Sequence, residues 1–119
     1  MKLSPIVIKK GTTITFDSNE LLFLGQSGQP YRGSLYVQFK SEGESFDLQS
    51  FKRYITSLRS LTFYSEDIAF EIYTTISESI KSAQLGVIVE LTSRGGIAQR
   101  LSFGDSFEVF KRNNIFQVG

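Results

Sequence analysis

The sequence predicts an α+β fold in which extended segments at both ends of a 119-residue chain enclose two helices. Three observations carry the prediction. In "TTITFD", Ile14 and Phe16 alternate with threonines, and in "SLYVQFK", Leu35, Val37 and Phe39 alternate with Tyr36, Gln38 and Lys40, the repeat of strands buried on one face. From Asp47 the period changes, and Leu48, Phe51, Ile55 and Leu58 form one helical stripe, followed after "LTFY" by Ile68, Ile72, Ile76 and Ile80 at every fourth position. The β-branched "LGVIVELTS" and the returning "IAQRLSF" then flank "RGG", a turn that needs backbone angles glycine adopts freely.

Taken in order, two strands come first, separated by "GQSGQPY", a loop with two glycines and a proline in seven residues. The first helix is expected from 47 to 60, with Asp47 as its N-cap and Ser50 three residues on. The second is expected from 66 to 82, capped by Ser65, with Glu66 and Asp67 favourably placed at its positive end. Two more strands complete a ββααββ order. A four-stranded antiparallel sheet with both helices on one face leaves two open edges, so the chain is expected to form a homo-oligomer through those edges. One domain spanning 1–119 accommodates all of this. Residues 105–119 form a C-terminal extension rich in Phe107, Val109, Phe110, Ile115 and Phe116, expected to pack on the domain or on a neighbour.

Composition excludes several classes of function. The chain holds no Cys and no His, which removes disulfides, thiolate and imidazole nucleophiles and most zinc sites; no metal site is expected. A formal net charge of +1 gives no electrostatic footprint for nucleic acid. No apolar run approaches a bilayer span, and "MKLSPIVIKKGTT" is too short and too basic in its middle for a signal peptide, so no membrane partner and a cytoplasmic location are expected.

Three stretches carry a resemblance over residues 26–104. "SGQPYRGSLYVQF", "DLQSFKRYITSLRSLTFYSED" and "LTSRGGI" are similar, at matching spacings, to segments of the tunnelling-fold family, and within it to the NADPH-dependent nitrile reductases that act on 7-cyano-7-deazaguanine in queuosine biosynthesis. The resemblance implies an oligomer whose sheets join into a barrel-like ring. It also implies which residues to inspect. The family's catalytic cysteine falls at Leu24, its proton-delivering aspartate at Tyr31 and its histidine at Ser65. Leucine cannot form a covalent adduct, so no catalytic residue is expected and the chain reads as a relative without the reductase chemistry. Glu66 matches the glutamate that pairs with the heterocycle, a carboxylate receiving two parallel N–H donors. Asp47 matches a second heterocycle-contacting acid, one methylene shorter. Both acids sit at helix starts, where capping and the helix dipole alone would explain them. The candidate ligand-binding set is therefore Glu66, Asp67's neighbour in the "SED" motif, with Asp47 and Tyr31. Lys52, Arg53 and Arg59 along the first helix, and Arg94 before the glycines, match basic positions that line the family's NADPH phosphate groove; with no nucleophile to serve, a solvated basic face explains them as well, and no cofactor is expected. Three readings follow: a subunit-interface site for a purine-like or pterin-like heterocycle; a structural ring component, alone or beside an active paralogue; or an enzyme with different chemistry on the same pocket.

Overall fold

The computed structural model describes residues 3–109, except the side chains of Ser93 and Arg94. The expected order is present. Long strands β2 (Thr13–Leu24), β3 (Pro30–Ser41), β5 (Ser82–Arg94) and β6 (Ile97–Gly104) form an antiparallel sheet in the order β2-β3-β5-β6. Helices α1 (Leu48–Ser57) and α2 (Ile68–Ser79) lie between the two halves in sequence and pack on one face. Short strands β1 (Pro5–Val7) and β4 (Glu44–Phe46) pair in a small second sheet that the sequence patterns did not reveal.

The core lies between the helices and that face. Leu35, Val37 and Phe39 of β3 and Val87, Val89 and Leu91 of β5 point into it, meeting Phe51, Ile55 and Leu58 from the α1 segment and Ile68, Ile72 and Ile76 from α2. The i+4 isoleucine row was thus a correct guide to the buried side of α2. In β2 the inward parity switches: Ile14 and Phe16 face the core before a bulge between Ser18 and Leu21, and Leu21 and Phe23 face it afterwards. The bulge carries β2 seven residues beyond the stretch that alternation alone marks as a strand.

Several local expectations are corrected. Leu48 opens α1 but is 51% exposed, lining the cleft beside β2, while Phe51, Ile55 and Leu58 of the same stripe are buried. Ser65 does not cap α2. It lies inside a 3-10 turn, Ser65–Asp67, and is buried; the Asp67 amide donates to the Tyr64 carbonyl at 3.0 Å, closing the turn through backbone alone. The helix also ends at Ser79 instead of 82. Ile80 turns extended while staying buried, and the Lys81 amide donates to the Glu44 carboxylate at 2.9 Å, which delivers the chain directly into β5.

Of the C-terminal extension, Phe107 is described and packs on its own domain. Its ring and the Asp105 carbonyl occupy the space that a side chain on Gly86 would need. Gly86 alternates with the inward-facing Leu85 and Val87, so the extension starts back over the face opposite the helices. Phe110, Ile115 and Phe116 lie outside the described residues.

Candidate functional site

The "GQSGQPY" loop closes β2 onto β3 with its own backbone. The Gly25 amide donates to the Gln29 carbonyl at 2.7 Å and the Gly28 amide to the Gly25 carbonyl at 2.9 Å, with Gly28 at φ +84°. Gly25 is required for a second reason: a Cβ there would lie 2.7 Å from the Tyr31 ring. The Ser27 hydroxyl donates to the Gln29 side-chain oxygen, tightening the tip. The glycines therefore let the strand ends approach and let Tyr31 fold in against the loop.

Leu24, where the resemblance places the family's nucleophile, is held on both sides. Its amide donates to the Leu61 carbonyl at 3.0 Å and its carbonyl accepts from the Phe63 amide at 2.9 Å, a parallel bridge between Leu24 and Thr62. This pins the segment entering the 3-10 turn to the end of β2. Three rings seal the corner: Phe23 stacks on Tyr31 at 5.3 Å between centroids, and Phe63 meets Phe23 edge-on at 6.0 Å. Phe23 is fully buried, and Tyr31 and Phe63 are half-buried against the core.

The structure brings the Leu24, Tyr31 and Ser65 positions to one corner, with Glu66 following on the same turn. Glu66 is exposed, and its side chain makes no hydrogen bond or ion pair among the described residues. Asp47 is elsewhere. It sits at the opposite end of α1, roughly 15 Å away along a ten-residue helix, and its carboxylate accepts from the Ser50 amide at 3.2 Å as the expected cap. Its amide meanwhile donates to the Ser4 carbonyl at 2.7 Å. One chain thus does not assemble Asp47 and Glu66 into a single site.

Lys52 and Arg59 share a cleft of about 800 Å³ along the outer side of α1, floored by Phe16, Phe51 and Ile55 and bordered by the bulge residues Asn19 and Glu20. Asp17 and Glu20 line it as well, so two cations face two carboxylates, a balance that does not fit a multiply charged phosphate. Arg94 ends β5, two strands away from β2 in the sheet; its side chain lies outside the description. Glu66 lines neither this cleft nor a second one near Tyr73, Lys81 and Asp105. Among the described residues no cluster of acids could hold a metal ion, and no helix is long and apolar enough to cross a membrane.

Pattern reading missed two exposed rings, Phe70 and Phe103, which touch edge-on at 4.9 Å beside Tyr73. The signal was present: Phe70 falls off the isoleucine row of α2, two residues, or about 200°, from Ile68.

A ββααββ subunit with a closed Gly-Gln-Pro corner defines a class, the tunnelling-fold proteins. The family model of the QueF-like protein matches residues 30–106, and the chain belongs to that family. Among curated relatives it is 34% identical over 82 residues to the NADPH-dependent 7-cyano-7-deazaguanine reductase of Rickettsia prowazekii (strain Madrid E), covering 69% of this chain and 28% of that protein. The protein of the same name from Sulfurimonas denitrificans (strain ATCC 33889 / DSM 1251) is 26% identical over 72 residues, covering 60% of this chain and 58% of the relative. The chain therefore spans about a quarter of the length of the first and just over half of the second. The crystal structure of the archaeosine synthase QueF-Like in the apo form matches with a TM-score of 0.74 at 13% identity, over 82% of this chain and 96% of that one, a likeness of fold.

Proposed function

We propose that this chain binds a purine-like or 7-deazaguanine-like heterocycle at a junction between subunits and does not reduce a nitrile. The observation that carries the reading is Leu24, clamped by the Leu61 and Phe63 backbones where a relative's nucleophile would stand. An alkyl side chain there can neither attack a nitrile carbon nor hold a proton. Tyr31, stacked on Phe23, offers a phenol in place of a carboxylate. Glu66 remains on the adjacent turn as a carboxylate able to accept two parallel N–H donors from a flat ring. Because Glu66 stands open in one chain, the rest of such a pocket comes from a second copy.

The test has two parts. Intact-mass measurement after incubation with 7-cyano-7-deazaguanine should find no covalent adduct, and NADPH should not be consumed when that nitrile is added. Thermal-shift screening against guanine, 7-deazaguanines and pterins should find a stabilising heterocycle, with the shift lost in Glu66→Gln. A nitrile-dependent adduct or turnover sinks the first half, and a flat screen sinks the second.

The exposure of Glu66, outside both clefts, favours a second reading, that the chain serves as an assembly subunit alone. A flat heterocycle screen with an intact oligomer selects it.

A further inference from the structure

The cleft between β2 and α1 has two walls of opposite charge. Residues 48–60 carry Lys52, Arg53 and Arg59 and no acid, and Lys52 and Arg59 reach the cleft, while Asp17 and Glu20 line it from the outermost strand of the sheet. Phe16, Phe51 and Ile55 lie between them. The ion pairs among the described residues, Lys10 with Glu42 and Arg100 with Glu90, join neither cation of the cleft to either acid. The walls therefore stand farther apart than ion-pairing distance.

That separation selects what the cleft can hold. A multiply charged anion is drawn to one wall and repelled by the other, and a polyamine meets the same conflict with the signs reversed, whereas a neutral molecule with two separated charges is drawn to both. A zwitterion fits. Lys52 and Arg59 are seven residues apart, about 10 Å along α1 and the turn that follows it, which is about the reach of three residues of extended chain. The volume of about 800 Å³ lies within the range of small-molecule sites. The floor is apolar, with the Phe16 and Phe51 rings 5.5 Å apart between centroids and Ile55 one turn on. Ser34 and Tyr36 line the cleft as well, so it runs past the open edge of β2, where Thr13–Ser18 keeps a regular register with β3. An extended chain laid there finds main-chain donors and acceptors without a partner strand. This favours a peptide over other zwitterions.

We propose that the cleft is a site for a short peptide with free ends and apolar side chains. Its ammonium lies against Asp17 and Glu20, its carboxylate against Lys52 and Arg59, and its side chains over Phe16, Phe51 and Ile55. Arg59 offers the carboxylate a planar pair of donors. Glu66 lines no part of this cleft, so the site stands or falls apart from the heterocycle reading.

The test is titration calorimetry on the whole chain with trileucine, its N-acetyl form and its C-terminal amide. Trileucine should bind with a Kd below about 1 mM, each blocked form at least about tenfold more weakly, and trialanine more weakly too because it leaves the floor uncovered. Lys52→Gln with Arg59→Gln should weaken trileucine and make amidation indifferent, while acetylation still costs affinity. Glu20→Gln should do the reverse, shrinking the penalty of acetylation and leaving that of amidation in place. All three side chains are exposed, and circular dichroism of both variants should match the parent. No heat with trileucine at millimolar concentration, equal affinity for free and blocked peptides, or variants that keep the parent's selectivity overturns the proposal. A chain that binds no trileucine and has a mass above 13.4 kDa that falls to that value in both variants also overturns it, giving the cleft to a contact between copies.

Discussion

Two three-ring clusters of similar composition have opposite standing in this molecule. Phe23, Tyr31 and Phe63 close the corner at the end of β2, and Phe70, Tyr73 and Phe103 stand along the flank of α2 and β6. The first is finished: Phe23 has no accessible surface and the backbone of Leu24 is bonded on both sides. The second leaves Phe70 and Phe103 about half in water. Ring count alone does not separate core from interface; a covering segment does. The chain from Leu61 to Tyr64 is that cover for the first cluster, and no described residue plays the part for the second. The first cluster is part of the core, whereas the second leaves aromatic surface in water.

Truncating the finished cluster should give the largest effect. Phe23→Ala is expected to cost about 3–5 kcal/mol in chemical denaturation, since it opens a cavity in a site bounded by backbone. A loss near that of an exposed ring would erase the distinction between the clusters.

Alkaline pH probes the contact between α1 and α2. Burial of Tyr54 pushes its hydroxyl from 10.0 up to about 12, with Glu71 adding to the rise and Thr75 opposing it, and the hydroxyl makes no hydrogen bond of good geometry. The raised value means that the folded chain holds this proton after the unfolded chain has released it. Below pH 10 both states keep the proton and stability is undiminished; as pH climbs towards 12 the unfolded chain releases it first and stability falls, by about 2–3 kcal/mol for two pKa units. Urea midpoints measured across that window should fall steeply in the parent and less in Tyr54→Phe, which at neutral pH should be as stable or slightly more so.

Smaller changes sharpen the contrast. Gly25→Ala drives a methyl into the Tyr31 ring and is expected to cost about 1–3 kcal/mol in thermal or urea unfolding, a penalty specific to the closed corner. Phe103→Ala, measured at concentrations where the chain is monomeric, should change stability by less than about 1 kcal/mol while lowering the mass seen at high concentration. A Phe103→Ala cost equal to that of Phe23→Ala would move the second cluster into the core.

The sequence by itself determined the class α+β, the ββααββ order, the buried side of α2, the Asp47 cap and the family to which the chain belongs, because these rest on short-range periodicity, capping chemistry and local motifs. What only the tertiary structure decided depends on partners distant in the chain. The bulge after Ser18 switches the inward parity of β2, so period-two reading stops at Asp17 while the strand continues to Leu24. Strands of three residues, such as β1 and β4, are too short to show a period and exist through pairing with each other. Ser65 looked like a cap, but the bridge between Leu24 and Thr62 draws its segment into a 3-10 turn and buries it. The acids grouped as ligand contacts lie at opposite ends of α1, a separation fixed by how that helix lies on the sheet. The opposed charges of α1 and α2 are written in the sequence; that they flank opposite edges follows from the strand order β2-β3-β5-β6, which pairing across the whole chain alone decides.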